Sequence, residues 1–161
     1  NEFDTSWVSF FGEKRLNMIY EKICQNNPMP YNINHKIEYL IKNLNNFLPQ
    51  NPKKSLLHGD LWEGNILFKD GKLVGLIDPG IYFGHNEMEI AYLTWFNYVN
   101  ANFLEIYSNS CKIDKYFYKY EPIYQLYFSL LNVHLWDRIY INDTGKLLEK
   151  ILQTHGLGSD K

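Results

Sequence analysis

At 161 residues the chain is long enough for one domain with a sizeable core, and 45% hydrophobic with 17% aromatic residues excludes a disordered polypeptide. A formal net charge of −2 excludes a nucleic-acid footprint, because Lys53-Lys54 is too short to act as a basic patch. The two cysteines, Cys24 and Cys111, form neither a disulfide framework nor a metal spacing, and no signal peptide is read at the start, so a reduced, cytoplasmic setting is expected.

The chain opens with Asp4-Thr5-Ser6 as candidate N-caps for an aromatic-rich helix, with Trp7, Phe10, Phe11, Met18 and Ile19 as its core contacts. Pro28 and Pro30 break the chain after it. A second helix is predicted from a cap at Asn34, with Ile37, Leu40, Ile41, Leu44 and Leu48 at helical spacing and Pro49 as its stop. The pattern then changes to short apolar runs. Ser55-Leu56-Leu57 reads as a strand, and Ile66-Leu67-Phe68 and Leu73–Ile77 flank Asp70-Gly71, a dipeptide that favours a two-residue hairpin turn.

Helical spacing returns from Glu87 and again from Pro122, where Ile123, Leu126, Tyr127, Leu130, Leu131 and His134 form one stripe. His134 reads as a core histidine, with a substrate contact as the alternative. Thr144 is predicted to open a last short helix. The charge-free stretches 90–104 and 122–136 fall short of the ~18 residues a membrane span requires, so no membrane partner is expected. The fold class is therefore α+β and mainly helical, a single domain over 1–161 with a small strand-and-hairpin insert.

The insert carries the unusual side chains. In His58-Gly59-Asp60-Leu61-Trp62-Glu63-Gly64-Asn65, a histidine, an acid and an amide keep the spacing of H-x-D-x-x-x-x-N. Phosphoryl transfer asks for this set: one carboxylate orients the attacking hydroxyl and takes its proton, while an amide and a second carboxylate hold magnesium on the phosphates. Asp78 follows across the hairpin, and a hairpin brings its two ends together, so Asn65 and Asp78 are expected to share one cation. The bland alternative is a surface turn with helix-capping acids.

The same residues resemble a known family. "HGDLWEGN" is similar to the catalytic loop of the aminoglycoside phosphotransferase and choline kinase superfamily. The tryptophan, together with Asp78-Pro79 followed by Gly84-His85-Asn86-Glu87, narrows the resemblance to the fructosamine kinase (ketosamine-3-kinase) family. "WVSFFGEKRL" (Trp7–Leu16) and "YQLYFSLLNVHLW" (Tyr124–Trp136) resemble that family's tryptophan-led and late helices.

The resemblance implies a two-lobed, protein-kinase-like fold of which this chain is the C-terminal lobe. It implies ATP-dependent phosphorylation of a sugar hydroxyl on ketoamines, the adducts of glycation, with Mg2+ as the metal. Residue by residue, it implies Asp60 as catalytic base, Asn65 and Asp78 as metal ligands, and His58 and Gly59 as structural parts of the loop. Trp62 would face the sugar, unless it is a tryptophan buried beside the loop. His85 and Glu87 would lie near the substrate, unless they form a hydrogen-bonded pair that shapes the next helix. Nothing in the chain resembles the nucleotide-binding N-terminal lobe, so a fragment, inactive alone and missing its partner lobe, is expected. The rival readings are a phosphotransferase for an aminoglycoside, choline or homoserine, and a non-catalytic interaction module.

Overall fold

The structure, a computed structural model, describes residues 6–157. In chain order its elements are α1 (Trp7–Phe11), α2 (Met18–Asn26), α3 (Tyr31–Lys42), β1 (Lys54–Leu57), β2 (Ile66–Lys69), β3 (Lys72–Leu76), β4 (Tyr82–His85), α4 (Asn86–Trp95), α5 (Ala101–Ser110), α6 (Phe117–Leu135) and α7 (Tyr140–Thr154). They form two compact units: residues up to Pro52 joined by those from Tyr118 onward, and Lys53–Phe117 between them. Mainly helical, with small antiparallel sheets, is what the residue pattern predicts.

The first unit is helical. Ser6 caps α1 by accepting from Ser9 N, while Asp4 and Thr5 lie outside the described residues. A π-helical stretch, Gly12–Asn17, joins α1 to α2, and a Cβ on Gly12 would come within 3.2 Å of Leu44, so the small residue allows this close approach. Trp7, Phe11 and Ile19 are buried as expected, and Trp7 Nε1 donates to the Tyr124 hydroxyl at 2.9 Å inside the core. Met18 departs from expectation and is 43% exposed: the π turn resets the helical phase, rotating that position away from the core. Each fully buried Phe, Leu or Ile here contributes about 1.5–3 kcal/mol.

Other boundaries also shift. α3 starts at Tyr31 after Pro30, and Asn34 does not cap it but donates Nδ2 to Met29 O from within the first turn. It stops at Lys42, so Leu44 is buried from a 3-10 turn, Leu44–Asn46, and Leu48 from the segment after it. Pro122 lies inside α6 rather than in its first turn, and α7 begins at Tyr140, not Thr144. Thr144 is buried in α7 and shares a 2.8 Å hydrogen bond with Ser129 of α6, a satisfied polar contact between two apolar helix faces.

The second unit is organised by two antiparallel pairs, β1 with β4 and β2 with β3. Asp70 and Gly71 both have positive φ, 50° and 73°, which is the two-residue turn their sequence favours. A register irregularity at Leu67/Phe68 interrupts the β2–β3 ladder. β1 ends with Leu57 opposite Tyr82, and β2 starts with Ile66 opposite Leu76. The two connections, 58–65 and 77–81, therefore run from one strand pair to the other side by side. That nesting positions the site.

Candidate active site

Both ends of the 58–65 loop are tied to Ile77. Ile77 N donates to Asn65 O at 3.0 Å, and His58 Nε2 donates to Ile77 O at 2.9 Å. With its proton on Nε2, His58 is left with Nδ1 as an acceptor, and Asp60 N donates to it at 3.3 Å. His58 thus braces the backbone on either side of the loop crossing. Gly59 makes the crossing possible. Its φ is +83°, and a Cβ there would sit 2.2 Å from Gly80 O.

This bracing brings Asp60 and Asn65 together. Asn65 is buried, and its Nδ2 donates to Asp60 O at 2.8 Å and to Asp60 Oδ2 at 3.2 Å. The amide's nitrogen side is therefore committed to Asp60, and its oxygen is the atom presented on the other side. Asp78 directly follows Ile77, the residue bonded to Asn65, and takes a left-handed φ of +50° at an exposed position. A non-glycine residue at positive φ is held there by its surroundings and is enriched at functional sites. Amide oxygen plus carboxylate is a hard donor set of the kind Mg2+ accepts while keeping several waters. Among the described residues no three His, Cys, Asp or Glu side chains gather at metal-binding spacing, so a metal here would rest on this mixed pair.

Trp62 is 44% exposed, so it is not a tryptophan buried beside the loop. Its indole lies over Gly64, where a Cβ would come within 2.2 Å of the ring. The glycine in "WEGN" thus lets the indole lie close against the backbone with much of its surface open. Tyr98 reaches the same loop through the backbone of Glu63. Burial, with the Glu63 charge, raises the pKa of its phenol above the ordinary value.

His85 and Glu87 are placed differently. They are 5% and 1% exposed, and His85 Nε2 lies 3.3 Å from Glu87 Oε2. The spacing is that of an ion pair, yet burial lowers the His85 pKa to about 4, outweighing the opposing charge of Asp114, so the imidazole is neutral near pH 7. Glu87 Oε1 also accepts from Asp114 N. Both side chains spend their polar atoms inside the unit, joining the start of α4 to the segment before α6.

One residue that the sequence did not single out touches the loop directly. Glu89, in the first turn of α4, accepts from His58 N at 3.1 Å and from Gly59 N at 2.6 Å. The only signal was a second acid two positions after Glu87, and sequence alone could not rank the two. Among the described residues no helix is long and apolar enough to cross a membrane.

Residues 1–154 match the family model described as fructosamine kinase. The chain is 32% identical over 153 residues to a "Probable ketoamine kinase" of Vibrio cholerae, covering 94% of this chain and 51% of that protein. It is 28% identical to the chloroplastic protein-ribulosamine 3-kinase of Arabidopsis thaliana, covering 95% of this chain and 47% of that protein. A crystal structure from Thermobifida fusca, described as that of a "putative fructosamine-3-kinase", superposes with a TM-score of 0.83 at 23% identity, over 95% of this chain and 53% of that one, a likeness of fold. The chain spans about half the length of the curated relatives it matches.

Proposed function

The chain belongs to the fructosamine kinase family, and from that premise we propose that it is the C-terminal catalytic lobe of an ATP-dependent ketoamine kinase. The reaction is in-line transfer of the ATP γ-phosphoryl group to a sugar hydroxyl of a ketoamine, free or protein-bound, a deglycation repair step. Asp60 orients the hydroxyl and accepts its proton as the new P–O bond forms. Asn65 Oδ1 and an Asp78 carboxylate oxygen would hold Mg2+, which supplies charge neutralisation on the phosphates when bound. Trp62 offers an aromatic face to the apolar side of the sugar. We assign substrate contact to Trp62 and give His85 and Glu87 a bracing role.

The observation that carries this reading is the bond from Asn65 to Asp60, made beside the crossing that brings Asp78 to the same loop pair. The single-lobe assignment also accounts for apolar side chains left open on the strands and their connections. Leu56, Phe68, Leu73, Val74, Ile81 and Phe83 are each more than half exposed. We read them as surface that the rest of a protein twice this length covers. On this reading the lobe alone turns over poorly, because the N-terminal lobe supplies most nucleotide contacts.

The test is Asp60→Asn in the intact enzyme, assayed with ATP and a ribulosamine or fructosamine. Turnover should fall at least ~100-fold, the order expected for losing a positioned base. Near-normal turnover removes Asp60 from that role. Phosphorylation of an amino alcohol but of no ketoamine would move the substrate to a different class.

A further inference from the structure

Between Trp62 and Gly64 stands an acid that the phosphoryl-transfer chemistry does not use. Glu63 opens the short 3-10 turn Glu63–Asn65 and is exposed, and among the described residues no basic side chain pairs with its carboxylate. An exposed glutamate is ordinary by itself. Its neighbours are not. Trp62 keeps 44% of its surface open, with its indole held over Gly64 and no other ring packed against it among the described residues. The indole therefore reaches across the turn on which Glu63 stands.

A second ring approaches Glu63 from the end of α4. The helix stops at Trp95, and Asn97, at φ +55°, turns the chain back so that Tyr98 N donates to Leu93 O at 2.9 Å. Tyr98 stacks on Phe96, with 5.5 Å between ring centroids and 16° between planes, and is half-buried. The Glu63 charge is close enough to act on its phenol. A carboxylate beside aromatic faces is the environment that binds an ammonium group. The acid pairs with the charge, and the electron-rich faces attract the cation and its flanking CH2 groups. A neutral or anionic group gains nothing comparable there.

A ketoamine carries such a group. Its sugar is joined to its carrier through a secondary amine, which is basic, protonated near neutral pH and only a few bonds from the sugar hydroxyls. The order along the loop matches the order along the substrate: Asp60 for the hydroxyl, Trp62 for the sugar face, Glu63 for the nitrogen. We propose that Glu63 is a specificity-determining residue of this site: its carboxylate, beside the Trp62 and Tyr98 rings, binds the protonated amine of the ketoamine. The proposal rests on the kinase reading for its substrate, and adds a reason why the sugar must carry an amine. Glu63 takes no part in proton transfer or metal binding, so its loss weakens substrate binding and leaves the chemical step intact.

The experiment gives the intact enzyme two substrates: a fructosamine made from a simple alkylamine, and its neutral isostere with an ether oxygen in place of the nitrogen. Wild type should favour the amine by about fivefold in kcat/KM, the upper end for a partly exposed ion pair. Glu63→Gln keeps size and loses charge. It should raise KM for the amine about fivefold and abolish that preference, with kcat, KM for ATP and the constants for the ether within about twofold of wild type. Glu63→Asp, which keeps the charge, recovers part of the loss. Added salt should raise the wild-type KM for the amine and leave that of Glu63→Gln unmoved, a difference that a residue merely shaping the turn would not produce. A Glu63→Gln enzyme that still prefers the amine, or that loses both substrates alike, overturns the proposal while the kinase reading stands. If the wild-type enzyme phosphorylates neither compound, the kinase reading fails and this assignment falls with it.

Discussion

Gly59→Ala perturbs the narrowest point of the loop crossing, and its cost can be worked from the backbone. The residue sits at φ +83°, where an L side chain costs about 1–2 kcal/mol. The new Cβ would also lie 2.2 Å from Gly80 O and 2.8 Å from Gly80 C, both inside the 3.4 Å at which ordinary contact begins and the first by more than 1 Å. Both obstacles are backbone, so no flexible side chain can swing aside. Forcing the two loops apart adds an overpacking cost of about 1–3 kcal/mol, so a total loss of roughly 2–5 kcal/mol in unfolding free energy is expected. The retreat also shifts Asp60, which follows directly, and turnover should drop by about two orders of magnitude.

Gly71→Ala is the matched control. That glycine has φ +73° but nothing within 4 Å of its missing Cβ, so it carries the conformational cost alone. Urea unfolding of both variants, with kcat of the intact enzyme, separates the two contributions. Gly71→Ala should lose about 1–2 kcal/mol and keep its turnover. If Gly59→Ala is no worse than Gly71→Ala in either measurement, the close approach of the loops does not organise the site.

The buried, neutral His85 predicts a pH dependence of stability. Its folded pKa of about 4 lies below the ordinary 6.5, so the unfolded chain binds the extra proton first. The stabilisation is therefore complete above about pH 6.5 and is lost as pH falls toward 4, up to about 3 kcal/mol in all. Denaturation curves between pH 7.5 and 4 check this, and His85→Gln should flatten them over that window. Trp62→Ala should raise KM for the ketoamine about tenfold with little change for ATP. Gly64→Ala should reproduce the effect, because its Cβ would displace the indole from 2.2 Å.

The parts of this molecule that depend on neighbours in sequence could be read without coordinates. The spacing of Asp60 and Asn65, the Asp70-Gly71 turn and the return of helical periodicity near Glu87 are local features, and they appear where the residues put them. Pairing across distance could not be read. β4 is four residues whose partner, β1, lies some twenty-five positions earlier, and "YFGH" has no alternation to announce it. Yet β4 closes the nested arrangement that sets the two loops side by side. Helix starts at Tyr31 and Tyr140 were missed because Asn34 and Thr144 have cap-type side chains that here bond backward within the turn, to Met29 O and Tyr140 O. Glu89 was missed for a related reason. Two acids two positions apart look equivalent until the backbone decides which one meets the loop.

The most direct measurement places the metal. Mn2+ with ADP, titrated into the intact enzyme labelled on asparagine and aspartate, should broaden the side-chain signals of Asn65 and Asp78 first. Asp60 should follow, and the effect should vanish in Asp78→Asn. Broadening centred away from these residues, or persisting unchanged without the Asp78 carboxylate, would contradict the account.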